Sequence, residues 1–241
     1  MPRLGLGQSL TGGGAPEEPF VNTAYLNFDG TDDVVTTTSK VEIETIFTLS
    51  CWVRTQRTSW QGACGCAKST GYDGYRLGIS SGGEVHGLVG DDDSYVYING
   101  DTTTIQNNTW HFISTTYDGT TLKVYLAGED DGGTMAAVDS ADTEVAMTFD
   151  DNFLIGSWSD NVSDLLGHID EVSLFNKVLS SEELATLYGS DGDPVNAGDA
   201  RTISGLVGYY RLEEGAGIST ADSSSTGNNG TLVNDAAWLT H

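Results

Sequence analysis

Basic residues are scarce in this chain. Lys and Arg together number 10 against 35 Asp and Glu, which leaves a formal net charge of −25 over 241 residues. A surface of that sign repels phosphate backbones and anionic headgroups, so nucleic acid and membrane surfaces are excluded as partners. Long apolar runs are missing as well: none reaches the roughly 18 residues of a membrane-spanning helix. The opening MPRLGLGQSLTGGGAPEEP has one Arg and lacks the continuous apolar stretch, about 7–15 residues, of a secretory signal peptide. Only 3 cysteines are present. Cys51 adjoins Trp52, and Cys64 and Cys66 share one face of a strand. They read as buried free thiols, with a Cys51–Cys64 or Cys51–Cys66 bridge left open. C-G-C is not a zinc spacing. No Gly-x-Ser-x-Gly elbow, HExxH or P-loop is present.

Glycine, by contrast, is plentiful at 31, and turn dipeptides recur between short β-type runs. Asp29-Gly30, Asp73-Gly74, Gly82-Gly83, Asn99-Gly100 and Asp118-Gly119 punctuate strands expected around 24–28, 33–37, 46–54, 61–67, 74–80, 84–89, 94–98, 110–117, 121–127, 152–156 and 166–175. Helical periodicity is confined to 181–188. Ser180 or Ser181 can cap there, Glu182 and Glu183 occupy the first turn, and Leu184, Leu187 and Tyr188 form one apolar stripe. The pattern predicts an all-β, two-sheet antiparallel jelly-roll sandwich with one short helix near 181–188. Its parts are an extended Gly/Pro-rich arm (1–22), the sandwich (23–188), a polar linker (189–203) and a tail (204–241) that completes the same sandwich.

Asp170 and Glu171 are adjacent carboxylates in the last strand of the sandwich. Strict alternation sends them to opposite faces. Asp170 then points under the fold, where it needs a cation or several donors, and Glu171 faces water.

Four segments carry a family resemblance: YLNFDGTDDVV (25–35), FTLSCWVRT (47–55), NTWHFISTTYDGTTLKVYLAG (108–128) and GHIDEVSLFNKVLSSEELATLY (167–188). Together they resemble the laminin G-like, concanavalin A-like lectin/glucanase jelly rolls. The tail GLVGYYRLEEGAGISTADSSSTGNNGTLV resembles the segment that precedes the FDG strand in many of these domains, here placed after it. The resemblance implies a two-sheet jelly roll and one structural calcium ion near the closing strands. The positions that match are Asp170, Asp29, and Asp222 with Asn228; Asp29 and Asp222 also read as ordinary turn carboxylates. Glycosidases of this fold carry two glutamates flanking an aspartate on one strand. The matching positions here are His168, Asp170 and Val172, so the acid pair is absent and no enzymatic activity is expected.

Saccharide sites pair an aromatic platform with carboxylate and amide groups, because sugar rings have apolar faces and polar edges. Trp158 with Asp160 and Asn161, and Trp60, Tyr72 and Tyr95, fall in turn-rich polar segments and are the candidates; each also reads as a loop aromatic packed on a sheet edge. Trp52 and Trp110 are assigned to the core. The arm MPRLGLGQSL resembles short leaders of phage tail and capsid-decorating proteins. The expected role is a non-enzymatic virion structural or adhesion protein. Its arm would dock on copies of itself or on other virion proteins, and its loops would touch host glycans. The alternatives are a secreted, extracellular carbohydrate-binding lectin module and a self-assembling filament subunit.

Overall fold

The computed structural model describes residues 20–41, 43, 45–66, 72–91, 93–100, 105, 107–128, 137–142, 144, 145, 147, 151–158 and 163–241. The arm bearing the particle-docking expectation lies outside them except for its last three residues. Asp160 and Asn161 also lie outside.

In chain order the strands are β1 (Ala24–Asp29), β2 (Val34–Thr37), β3 (Phe47–Thr55), β4 (Gln61–Cys66), β5 (Gly74–Ile79), β6 (Val85–Gly90), β7 (Tyr95–Asn99), β8 (His111–Tyr117), β9 (Thr121–Gly128), β10 (Ala137–Asp142), β11 (Leu154–Ile155) and β12 (Leu166–Phe175). The helix α1 (Ser181–Tyr188) follows, then β13 (Leu206–Tyr210), β14 (Ser219–Thr220), β15 (Gly230–Val233) and β16 (Ala237–Thr240). They form two antiparallel sheets. Sheet A runs β10-β9-β8-β3-β12-β1-β16, with β13 also on β12; sheet B runs β14-β15-β2-β11-β4-β5-β6-β7. Alternation aims Leu49, Cys51 and Val53 of β3 at Cys64, Tyr75, Leu77 and Val89 of sheet B, and these side chains share one core. The three cysteines are buried and free.

The outer face of sheet A carries a second apolar cluster, in which Trp52, Phe112 and Phe175 meet Leu184, Leu187 and Tyr188 of α1. Trp52 and Tyr188 stack at 5.3 Å. Ser180 caps the helix, accepting from the Glu183 amide while Glu183 accepts from the Ser180 amide. Residues 189–203 are not a loose polar linker: Ala197, Ala200 and Ile203 pack into this same cluster. The tail strands join both sheets, β13 on β12, β16 on β1 and β15 on β2. Leu212 and Tyr209 are thereby buried.

One expectation fails instructively. Glu171 does not face water; it is 5% exposed, and Asp170 is fully buried. The register between β12 and β3 shifts between Asp170 and Ser173, and Glu171 takes a left-handed φ of 51°. A bulge inserts an unpaired residue and breaks the alternation. Ile169 and Val172 face the core, while both carboxylates lie on the outer face of sheet A, buried beneath Asn22, Tyr209 and the segment after α1. The bulge also marks a change of neighbour. β12 pairs with β1 through Leu166–Ile169 and with β13 through Val172–Phe175, end to end along the same edge.

Candidate functional site

The aromatic candidates converge on the outer face of sheet B. Along β5, Tyr75, Leu77 and Ile79 face the core, leaving Arg76 and Gly78 outward. The register aligns Arg76 with Leu88 and Leu88 with Tyr97, and in the next row Gly78 with His86 and His86 with Asn99. Trp60 enters from the start of β4, Tyr72 from the start of β5, and Trp158 from the loop after β11. These three aromatics, with Arg76, His86, Leu88, Tyr95 and Tyr97, line a cavity of about 390 Å3.

Its rim is aromatic and solvent-exposed. Trp60 is 38%, Tyr72 47%, Tyr95 42% and Tyr97 51% exposed. Tyr72 and Tyr95 stack at 3.8 Å with 21° between their planes, and Tyr95 and Tyr97 lie nearly parallel. Trp158 is not an exposed platform. It is buried, and its ring forms the floor by lying across Gly78, where an added Cβ would come within 2.5 Å of Trp158 Cζ3. A glycine is required at this close approach. Gly90 has a similar place, since a Cβ there would meet the Tyr72 carbonyl and the Tyr95 Cβ.

Two polar groups sit among the rings. The Arg76 guanidinium lies 5.5 Å from the Trp158 ring and 5.7 Å from that of Tyr72. Its burial lowers its proton affinity. His86 packs edge-on to Trp60 at 4.9 Å, and its Nδ1 is 2.9 Å from the Asn99 Oδ1. Burial, with the Arg76 charge adding to it, outweighs the Asn99 hydrogen bond and depresses the imidazole to about 4. His86 is therefore neutral at pH 7. Flat apolar faces beside a fixed cation and a neutral imidazole suit a ligand with both ring faces and hydroxyl edges.

Trp60, Tyr72, Tyr95 and Trp158 were all candidates from the sequence. Arg76, His86, Leu88 and Tyr97 were not. Their signal was present in the period-two pattern of GYRLGI, VHGLVG and YVYIN, whose outward positions carry these four residues.

The proposed calcium ligands do not gather. Asp222 accepts from the Tyr209, Ser224 and Asn228 amides and the Thr226 hydroxyl. Burial pushes its carboxyl up, but these donors prevail and hold it below the usual range. Asn228 is clamped to Ser39 through three hydrogen bonds. Asp29 lies with Asp32 and Asp33, whereas Asp170 lies with Glu171 and Glu213. In the second group one oxygen of each carboxylate falls within 4.8 Å of the others. Asp170 also accepts from Asn22 at 2.8 Å and contacts His241 Nε2 at 3.0 Å. Glu171 accepts from the Tyr209 hydroxyl and lies 3.9 Å from Arg211 Nε. Burial raises both carboxyl pKa values well above the ordinary range, and the Asp170 charge adds to the rise at Glu171.

His168 stands where a glycosidase of this fold would place an acid. It is a packed residue here, edge-on to Tyr25 at 5.2 Å, with its Nδ1 accepting from Arg54 Nε. Trp110 is buried in the outer cluster of sheet A, at 9% exposure.

No curated protein matches the chain. Among solved structures it is similar to a Bacteroides ovatus protein named as a candidate carbohydrate-binding protein. Identity there is 18% with a TM-score of 0.60, over 92% of this chain and 61% of that one. The native heptameric SAP-like pentraxin of Limulus polyphemus gives 12% identity and a TM-score of 0.60, over 92% of this chain and 96% of that one. Domains LG4-5 of the mouse laminin alpha1 chain give 11% and 0.50, over 70% and 48%. The chain thus spans under two thirds of the bacterial protein and about half of the laminin fragment. The Laminin_G_3 family model covers residues 28–185, and with the two-sheet jelly roll this places the chain in the concanavalin A-like lectin/glucanases superfamily.

Proposed function

We propose that this chain is a non-enzymatic saccharide-binding module whose site is the aromatic cavity on the outer face of sheet B. One observation carries the reading: five aromatic rings, Trp60, Tyr72, Tyr95, Tyr97 and Trp158, converge on one cavity around Arg76 and His86. The bacterial neighbour's description as a candidate carbohydrate-binding protein supports it. So does rigidity, because Arg76, His86 and Tyr97 stand on paired strands and lose little freedom on binding. The test is binding to an immobilised glycan array by the full chain and by a Tyr72→Ala/Tyr97→Ala variant. Both residues are about half exposed, so the fold survives their removal. Loss of the bound glycans supports the site, and an unchanged binding profile rejects it.

Calcium belongs to this proposal at Asp170, Glu171 and Glu213. Buried oxygens of Glu171 and Asn22 that lack hydrogen-bond partners among the described residues, Oε1 and Oδ1 respectively, fit a hard cation there. A bound ion would neutralise the cluster and tie the β12 bulge to the tail through Glu213, which already accepts from the Thr23 and Ala24 amides.

A further inference from the structure

A second cavity, of about 470 Å3, opens on the other side of the sandwich. Val53 of β3 faces the core, so Arg54 projects from the outer face of sheet A. With Asn108, Thr109 and Trp110 at the start of β8, and Asp191 and Asp193 in the turn after α1, it lines this space.

Arg54, Asp191 and Asp193 are each held from behind and keep an unused donor or acceptor among the described residues, whereas the Thr109 hydroxyl is engaged with Asn107 and His111. The Arg54 guanidinium lies 5.0 Å from the Trp110 ring and 5.5 Å from the Tyr25 ring. Its Nε donates to His168 Nδ1 and its Nη2 to the Tyr25 hydroxyl, both at 3.3 Å. Nη1 makes no hydrogen bond to a described residue. Asp191 Oδ2 accepts from Asn196 Nδ2 at 2.9 Å, and Asp193 Oδ1 accepts from the Val195 amide at 3.0 Å. The second oxygen of each is unbonded among the described residues. Asn108 is fixed by its amide bond to the Thr55 carbonyl and by a left-handed φ of 62°. Gly192, between the two aspartates, takes a φ of 82° that only glycine adopts freely.

The charges in this cavity oppose one another. An anion would meet two carboxylates, and a cation would meet Arg54. A hydroxyl can donate to Asp191 or Asp193 and accept from Arg54 or Asn108, so a neutral polyol matches both signs of charge in the cavity. We infer that this cavity is a second saccharide site, for a neutral sugar, and that the chain is bivalent with one site on the outer face of each sheet. The sheet A site stands apart from the sheet B reading, because the two cavities share no residue, whereas bivalence rests on that reading as well.

The test compares the full chain, an Asp191→Asn/Asp193→Asn variant and the Tyr72→Ala/Tyr97→Ala variant on immobilised cello-, malto-, manno- and galacto-hexaose. Asparagine keeps the turn hydrogen bonds and the cap while removing the charge. Unchanged thermal unfolding of that variant verifies that its fold is intact. The expected result is a neutral hexaose whose binding falls at least about tenfold in the asparagine variant, the loss of charge-assisted hydrogen bonds, and is retained in the tyrosine variant. The inference is overturned if the asparagine variant binds every member as the wild type does, or if the wild type binds none of them. Failure of the sheet B reading looks different, since there the tyrosine variant would bind every member normally.

Discussion

Replacing Gly78 by Ala tests whether the floor of the sheet B cavity is set by a missing side chain. Gly78 has no left-handed φ, so its backbone accepts alanine. The obstacle is space. The new Cβ would lie 2.3 Å from the Gln61 carbonyl oxygen and 2.5 and 3.0 Å from Trp158 Cζ3 and Cε3. Overpacking of this kind costs about 1–3 kcal/mol. For a chain of this size, each kcal/mol lowers Tm by about 2–4 °C. A midpoint loss of roughly 4–8 °C is therefore expected for a cost of about 2 kcal/mol, read by calorimetry. Glycan binding should fall further than stability, because the Trp158 ring must lift into the cavity. A double-mutant cycle with Trp158→Ala locates the strain: with the ring removed, the Gly78→Ala cost should shrink, leaving only the carbonyl contact. A Gly78→Ala chain with unchanged Tm and unchanged glycan binding would refute the floor argument. Equal costs in both backgrounds would show that Trp158 has no part in it.

Other outcomes follow from the same geometry. His86 takes up its proton near 6.5 when unfolded and near 4 when folded. Between those values the unfolded state binds more protons, so acidification lowers stability by up to about 3 kcal/mol as pH falls through the window. Denaturant unfolding from pH 7 to 4 should show a shallower decline for His86→Gln, and parallel curves would contradict the assignment. Asp222→Ala strands the Tyr209 and Asn228 amides and should cost about 3 kcal/mol or more by urea unfolding; a change below 1 kcal/mol would mean that water replaces the carboxylate. If calcium occupies the Asp170 cluster, EDTA should lower Tm and Asp170→Asn should remove that sensitivity. At a hundredfold excess over Kd the ion contributes about 2.7 kcal/mol, and an EDTA-independent Tm rejects the ion. Ser180→Ala removes one half of the capping box and should cost about 1 kcal/mol in thermal unfolding, with no effect on glycan binding.

The strands were legible from local signals. Alternation, Gly-containing turns and the near-continuous apolar run FTLSCWVRT placed most of them within a residue or two. The run is continuous because β3 is covered on both faces, by the core and by α1. The capping residues of α1 and its stripe of Leu184, Leu187 and Tyr188 were equally readable. β10, which has no buried position and a register shift that breaks its alternation, was not. Four of the cavity aromatics, Trp60, Tyr72, Tyr95 and Trp158, stood out in the sequence as aromatic residues in polar turns, a pattern that equally fits rings packed on a sheet edge; that they meet at one cavity was not legible there.

The sequence by itself determined the fold class, the helix, the strongly acidic net charge and the stock of aromatic side chains. Only the tertiary structure decided which of those side chains meet. Arg76, His86 and Tyr97 are brought beside Trp60 and Trp158 by inter-strand register, which depends on pairing between distant segments. The fate of Glu171 was likewise undecidable from alternation, because a one-residue bulge in β12 reverses the face of everything at that point. Asp222 and Asn228 look like ligands in one dimension, but in three their oxygens are already occupied by the chain's own donors.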